Sequence, residues 1–249
     1  MNSTYSVGGW LLRSELQIAH LLKWIPGLPG IWLRSLVYSN LFKRMGDRIQ
    51  IMTGGQFSGV RRIELGHFVK IDRNVKINAP TDTSMRLGDH VRLGEGTLLS
   101  GGEKSSSIVL GRSVEVEKGT EIKAKTGRIE VGQSTYIGAQ CNITSAEGIK
   151  IGQNCHIGDC SILRANQLNL TELLPSAQVK QPVRCGIVIE DNCWIGGGVS
   201  VLNGVTIGQG SVISDNSVIV DNVPAFSIAM GAPARILKGV LKMQEGFHC

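Results

Sequence analysis

The sequence lacks several features that mark common classes of protein. Aromatic residues make up only 5% of its 249 residues and no basic run recurs, so nucleic acid is a poor candidate partner although the formal net charge is +6. No apolar run is long enough to span a bilayer. Met1 to Val7 lack the charged start and apolar run of a secretory signal. We therefore expect a cytoplasmic protein whose mildly basic balance suits anionic partners, such as phosphorylated cofactors or lipid headgroups.

A CxxC pair is also missing, although the chain has six cysteines. Without that spacing, a zinc site ranks well below free thiols in a reducing cytosol, and we expect no metal. Three of the cysteines stand at small positions of the repeat described next, where they suit the role of compact hydrophobic side chains. The six are Cys141, Cys155, Cys160, Cys185, Cys193 and Cys249.

What the chain does contain is a six-residue phrase that repeats from Leu65 to Ile219. Each copy begins with an aliphatic residue, which is usually followed by a glycine. Two polar or turn residues and then a small residue come next, as in IGQNCH and IGQGSV. In blocks of about eighteen residues the aliphatic positions form three columns of seven, a period that indicates a solenoid. The columns are Leu65, Leu87, Leu110, Val131, Ile151, Ile189 and Ile207; Ile71, Leu93, Val116, Ile137, Ile157, Ile195 and Ile213; and Ile77, Leu99, Ile122, Ile143, Leu163, Val201 and Ile219.

Three columns per turn predict a triangular prism in which each side is a short parallel strand and the aliphatic side chains point to the axis. The fold class is therefore all-β, a parallel β-helix of about seven to eight coils over residues 49–224, with 49–64 as an imperfect first coil. Each corner needs a residue that tolerates positive φ. Glycine or asparagine stands there at Asn74, Gly96, Gly119, Asn154, Asn192, Gly198, Gly204, Gly210, Asn216 and Asn222.

The coils differ in length only after the third strand, so the extra residues should all lie on one edge of the prism. The longest insertion is the loop 168–186, where we expect function to be concentrated. Residues 1–48 form a helical segment by pattern, with helices from Ser14 to Lys23 and from Ile31 to Met45. This segment either caps the open first coil or lies on a membrane surface through residues 10–45. Residues 225–249 should close the far end with a short helix that includes Ile236 and Leu237.

One long segment, IVIEDNCWIGGGVSVLNGVTIGQGSVISDNSVIVDNVPAFSIAMGAPARILK, resembles the C-terminal half of the hexapeptide-repeat acyltransferases. That family includes maltose, galactoside and polysaccharide O-acetyltransferases. The opening IPGLPGIWLRSLVY is similar to the lead-in of members that act on surface polysaccharides. The resemblance implies a left-handed β-helix, a homotrimer, acetyl-CoA or another acyl-CoA in the groove between subunits, and acylation of a saccharide hydroxyl.

Relatives of this family use a histidine on the long loop to take the proton of the acceptor hydroxyl. In this chain the matching stretch is LRANQ, so Gln167 stands at the histidine position, next to Asn166. A carboxamide can orient a hydroxyl but cannot accept its proton at neutral pH. Of the other histidines, His156 is nearest in sequence, but its register predicts a different edge of the prism from the loop.

The cofactor half departs from the family pattern as well. The resemblance implies that the amides of Gly197 and Asp215 face the cofactor, that Arg235 lies near the nucleotide and that Trp194 forms a wall of the acceptor site. Asp221 replaces the lysine that faces the phosphates in relatives, which weakens the attraction for a phosphorylated cofactor.

Two functions therefore stay open. The first is an acyl-CoA-dependent O-acetyltransferase that modifies a saccharide in surface polysaccharide biosynthesis. The second is a catalytically inactive trimer that is retained as a binding or assembly module. The metal-dependent carbonic anhydrases of the same fold are excluded because the H-x4-H pattern is absent.

Overall fold

The computed structural model describes residues 36–102, 105–166 and 186–237. These residues form short β-strands that recur in threes, together with a 3-10 turn at Val60–Arg62. In chain order the strands are β1 (Arg44–Met45), β2 (Gln50–Ile51), β3 (Gln56–Ser58), β4 (Ile63–Leu65), β5 (Lys70–Ile71), β6 (Lys76–Asn78), β7 (Thr83–Leu87), β8 (Arg92–Leu93), β9 (Leu98–Gly101), β10 (Ser106–Leu110), β11 (Glu115–Val116), β12 (Glu121–Ala124), β13 (Gly127–Val131), β14 (Tyr136–Ile137), β15 (Asn142–Ser145), β16 (Ile149–Ile151), β17 (His156–Ile157), β18 (Ile162–Ala165), β19 (Ile187–Ile189), β20 (Trp194–Ile195), β21 (Ser200–Val201), β22 (Thr206–Ile207), β23 (Val212–Ile213), β24 (Val218–Ile219), β25 (Ile228–Gly231) and β26 (Ala234–Leu237).

The strands belong to three sheets, and every third strand returns to the same sheet. Sheet A has the order β1-β4-β7-β10-β13-β16-β19-β22, and sheet B has the order β2-β5-β8-β11-β14-β17-β20-β23-β25-β26. Sheet C has the order β3-β6-β9-β12-β15-β18-β21-β24. All neighbouring strands are parallel except β25 and β26. The predicted parallel β-helix is therefore confirmed, while its left-handed winding stays an implication of the resemblance.

The three aliphatic columns form the core. Every one of the column residues is at most 3% exposed. Residues of one column are also direct partners between neighbouring strands, as Ile157 and Ile195 are in sheet B. Burial of one such side chain is worth about 1.5–3 kcal/mol, so the columns hold the coils in register.

The corners follow the prediction at nine of the ten glycine and asparagine positions, which have positive φ. The exception is Asn222, whose side-chain Oδ1 instead accepts a hydrogen bond from the Thr206 N–H at 2.8 Å. Larger residues also adopt positive φ at equivalent corners, which the sequence pattern did not predict. They do so because the fold requires this conformation wherever the chain bends. These include Phe68, His90, Ser113, Ser134, Gln140 and Cys160.

The small residues that face inward at the corners link one coil to the next. Ser161 Oγ donates to the Gly196 carbonyl at 3.0 Å, and Cys155 Sγ donates to the Glu190 carbonyl at 3.1 Å. The buried cysteines were predicted to be compact hydrophobic side chains, but they also donate hydrogen bonds in the manner of a hydroxyl. The free thiols are Cys141, Cys155, Cys160 and Cys193, while Cys185 and Cys249 lie outside the described residues.

The described end of the N-terminal segment packs against the first coil. Residues 36–39 are helical, and Tyr38 and Phe42 are buried with their rings 5.3 and 5.6 Å from the ring of Phe57. The second predicted helix is wrong at its end, because Arg44 and Met45 pair with β4 as the first strand of sheet A. The first predicted helix lies outside the described residues.

The C-terminal end differs from the prediction. Ile236 and Leu237 were expected to start a helix, but they belong to β26, which folds back on β25 as an antiparallel hairpin. β25 itself continues sheet B by pairing with β23. Adjacent apolar residues suit either structure, and main-chain pairing at the open edge of sheet B favours the strand.

The insertions lie on one edge, as predicted, between the strands of sheet C and the next strands of sheet A. The longest one separates β18 from β19, and its residues 167–185 are not described. Within the described residues, no helix has both the length and the apolar character needed to cross a membrane.

Leu98 and Leu99 provide a matched test of this core, because they are neighbours in β9 with opposite orientations. Leu99 is fully buried, whereas Leu98 is half-buried on the outer face. We expect Leu99→Ala to lower the free energy of unfolding by about 2–5 kcal/mol and Leu98→Ala to lower it by less than about 1 kcal/mol. Urea unfolding followed by circular dichroism measures both values. Equal losses for the two variants would contradict the inward assignment of the columns.

Candidate functional site

Three aromatic rings are stacked on the outer face of sheet B. Tyr136, His156 and Trp194 are in-register partners on the neighbouring strands β14, β17 and β20. The centroids of the tyrosine and histidine rings are 4.9 Å apart with an interplanar angle of 8°. The histidine and tryptophan rings are 3.9 Å apart at 11°. We call these three residues the ring stack.

The ring stack places an exposed indole next to an imidazole. Trp194 is 53% exposed, although a side chain of this size is commonly buried. Burial lowers the pKa of His156 from its ordinary value of 6.5, and the nearby Asp159 carboxylate opposes this effect. The imidazole is therefore neutral at pH 7. Within the described part of the chain, neither of its nitrogens takes part in a hydrogen bond.

Tyr136 forms the N-terminal end of the ring stack. Burial raises the pKa of its phenol, and the carboxylates of Glu117 and Asp159 raise it further. The phenol therefore stays protonated near neutral pH. The same carboxylate, Asp159, acts on both titratable rings of the stack.

Asn166 is the first residue after β18, at the edge where the long insertion leaves sheet C. Its side-chain Oδ1 is buried and has no hydrogen-bond partner among the described residues. Gln167, the residue at the position of the family's histidine, lies outside the described residues. The structure thus locates one of the two predicted loop residues, on a different sheet from His156, in accord with the predicted register.

Gly197 and Asp215 lie together at the corner between sheets B and C. The Gly197 N–H donates to Asp215 Oδ1 at 2.8 Å, so this amide is free for a cofactor only if that bond breaks. The same contact recurs elsewhere, because Asp159 Oδ1 accepts from the Ala139 N–H at 2.8 Å. The contact is thus part of the corner structure of the coils. The Asp215 N–H donates to no acceptor in the described ranges.

Asp221 and Arg235 lie farther toward the C-terminal end. Asp221 is exposed and follows β24 at the edge between sheets C and A. Arg235 is exposed in β26, opposite Met230 of β25. It is the only basic residue between positions 186 and 237, where the sequence has four acidic residues. This half of the prism is therefore negatively charged.

The predicted site residues fall into two groups within one protomer. Trp194, Gly197 and Asp215 lie on or beside sheet B, while Asn166 and Asp221 lie at the far edge of sheet C. Sheet C stands between the two groups. One protomer therefore does not bring them together.

Sequence analysis missed the ring stack, although it singled out Trp194. His156 is 20 residues after Tyr136 and 38 residues before Trp194, so the contact is apparent only when insertions are removed and outward positions are aligned. In the described residues, no group of three or more His, Cys, Asp or Glu side chains could hold a metal ion.

Family models match two stretches of the chain. Residues 186–221 match the bacterial transferase hexapeptide model with its six repeats, and residues 128–159 match the hexapeptide repeat of succinyl-transferase. Both matches are to hexapeptide-repeat transferase models, and together the two matched stretches contain all three residues of the ring stack.

Two relatives are similar to part of this chain. A Mycobacterium tuberculosis protein named probable acetyltransferase is 32% identical over 153 residues, which are 59% of this chain and 49% of the relative. The polysialic acid O-acetyltransferase of Escherichia coli O1:K1 is 37% identical over 132 residues, or 49% of this chain and 39% of the relative. The chain thus spans half or less of these relatives.

Two solved structures share the fold. The polySia-specific acetyltransferase NeuO superposes with a TM-score of 0.56 and 20% identity, over 80% of this chain and 86% of that one. The UDP-N-acetylglucosamine acyltransferase of Campylobacter jejuni superposes with a TM-score of 0.62 and 19% identity, over 78% and 69%. At these identities the likeness concerns the β-helix alone.

The lowered pKa of His156 predicts how stability depends on pH. The folded protein binds fewer protons than the unfolded chain below pH 6.5. The contribution of His156 to wild-type stability should therefore be fully present above that pH. It should decrease as the pH falls through 6.5 toward the folded-state pKa. His156→Phe keeps a ring in the stack but cannot titrate, so the stability of this variant should decrease less than that of the wild type over the same pH range. Thermal melts between about pH 8 and 5 measure the difference, and parallel curves for the two proteins would contradict the burial of a neutral imidazole.

Proposed function

We propose that the protein is an acyl-CoA-dependent O-acyltransferase whose acceptor is a saccharide. The observation that favours this function is the exposed indole of Trp194 stacked on a neutral imidazole. An exposed aromatic face offers an apolar surface to the C–H face of a sugar ring, and the imidazole edge offers a hydrogen-bond acceptor to a sugar hydroxyl. The sequence similarity to two named acetyltransferases supports acetyl as the group transferred.

The chemistry needs a thioester, an acceptor hydroxyl and a proton acceptor. The acceptor oxygen attacks the thioester carbonyl carbon, and a neutral base that takes its proton accelerates the step by about 10² to 10⁴. Asn166, with its unsatisfied Oδ1, can receive a hydrogen bond from the acceptor. Gln167 can orient a hydroxyl but is not a base near neutral pH.

We also propose that the working unit is a homotrimer with its sites between protomers. The support is the division of the site residues, because Trp194 and Asn166 lie on different sheets of one protomer and a neighbouring copy could bring them together. Exposed apolar side chains in β18 of sheet C, and directly after its strands β21 and β24, suit a contact with another copy. They are Ile162, Leu202 and Val220.

The alternative, a catalytically inactive module, is favoured by the charge of the C-terminal half. Asp215 and Asp221 stand where relatives offer a small residue and a lysine, and Arg235 is the only basic residue between positions 186 and 237. The Gly197 N–H is also occupied by Asp215. These features disfavour a cofactor with several phosphates.

Binding of acetyl-CoA separates the two functions. We expect calorimetry to detect binding of acetyl-CoA to the wild type, and a labelled acetyl group to be transferred to members of a saccharide panel. Asp221→Lys should tighten binding at least about fivefold, because one unit charge 4 Å from a phosphate is worth ~1 kcal/mol even in water. Acetyl-pantetheine lacks the nucleotide phosphates, so its binding should not respond to this substitution.

Two results would contradict these expectations, and the first would also reject the enzyme. If a folded wild type takes up no acetyl-CoA at millimolar concentration, the inactive module is the better description. If Asp221→Lys strengthens acetyl-pantetheine as much as acetyl-CoA, then the phosphates do not lie near position 221.

A further inference from the structure

We propose that His156 is the proton acceptor for the saccharide hydroxyl, in place of the histidine that relatives have on the loop. This inference rests on the proposed function, because it names the base of the same reaction. It assigns a role to a residue that sequence analysis set aside on the basis of its register.

The ring stack fixes the orientation of the imidazole. Tyr136 covers one ring face and Trp194 covers the other, with interplanar angles of 8° and 11°. Only the ring edge is then left open, and both nitrogens lie in that edge. An acceptor that stacks on or beside the exposed indole can therefore direct a hydroxyl at an imidazole nitrogen.

The surroundings of His156 suit a base. Within the described ranges its nitrogens have no hydrogen-bond partner, so no contact has to break before a proton is accepted. Asp159 is the charged group that acts on it, and Tyr136 is the titratable group packed against it. The carboxylate favours the imidazolium that forms when the proton arrives, while Asp159 Oδ1 is held by the Ala139 N–H.

The other two described histidines make contacts of their own and lie far from Trp194. His67 Nδ1 accepts a hydrogen bond from the Asp47 N–H at 3.1 Å. His90 stacks on Phe68 with centroids 4.8 Å apart. Both precede β8, four strands before β20 in sheet B, which at about 4.8 Å per strand is roughly 19 Å from Trp194 along the prism. Neither can serve an acceptor bound at the indole of the same protomer.

The step balances with the acyl-CoA named in the proposed function. The O–H bond of the acceptor breaks as its proton passes to the neutral imidazole, and the oxygen forms a bond to the thioester carbonyl carbon. The C–S bond then breaks with its electron pair on sulfur. The leaving thiolate takes the proton from the imidazolium, so the products are the O-acyl saccharide and coenzyme A, and His156 is neutral again.

His156→Gln tests the assignment, with His90→Gln as its matched control. The control likewise removes a stacked imidazole, but this one contacts a single aromatic ring, that of Phe68, and lies far from the site. We expect His156→Gln to lower kcat by about 10² to 10⁴ with little change in KM for acyl-CoA, and His90→Gln to leave both unchanged. The wild-type rate should decrease as the pH falls through the pKa of His156, which lies under 6.5. This acid limb of the pH profile should be absent in His156→Gln. Added imidazole should restore part of the lost rate.

The possible failures are distinguishable. If the wild type transfers an acyl group and His156→Gln retains the wild-type kcat and acid limb, the inference is wrong and the proposed function stands. A folded His156→Gln that loses activity but keeps the acid limb and gains nothing from imidazole would make the role structural and overturn the inference. A wild type that transfers no acyl group would reject the proposed function, and the inference with it.

Discussion

The inward packing of one aliphatic residue per strand is the constraint on which the rest of this structure depends. Because the column residues of neighbouring coils lie directly beside one another, the residue before each of them points outward and also lies beside its equivalent one coil away. An in-register parallel sheet thus converts a periodic core into ladders on its surface. Tyr136, His156 and Trp194 form one such ladder, and their stacking follows from the packing of Ile137, Ile157 and Ile195 beneath them.

The same constraint gives the site its chemical character. Stacked rings exclude water from the imidazole faces, which favours its neutral form, while the outward direction of the strand residues keeps the ring edge and the indole accessible. The corners contribute in a different way, since carboxylates such as Asp215 hold main-chain N–H groups of the preceding coil. The rigid prism therefore fixes the ring stack, whereas the residues around the C-terminal corners set the charge that a phosphorylated ligand would meet.

Much of the fold could be predicted because its signal is periodic. The columns and nine of ten corner positions follow from spacing and residue type alone. The ring stack could not be found in this way, since its members are separated by 20 and 38 residues and outward positions have no common residue type. The C-terminal helix was predicted wrongly because Ile236 and Leu237 suit a strand equally well, and the open edge of sheet B decides the outcome. The use of the Gly197 N–H by Asp215 depends on a side-chain contact between coils, which similarity to relatives does not show.

The most direct test of the central claim, that the packed prism presents His156 and Trp194 to an acceptor, is a crystal structure with coenzyme A and a saccharide bound. We expect the sugar to contact the indole of Trp194 and one of its hydroxyls to lie within hydrogen-bond distance, about 2.6–3.2 Å, of an imidazole nitrogen of His156. A sugar bound away from the outer face of sheet B, or an imidazole turned out of the ring stack, would contradict the account.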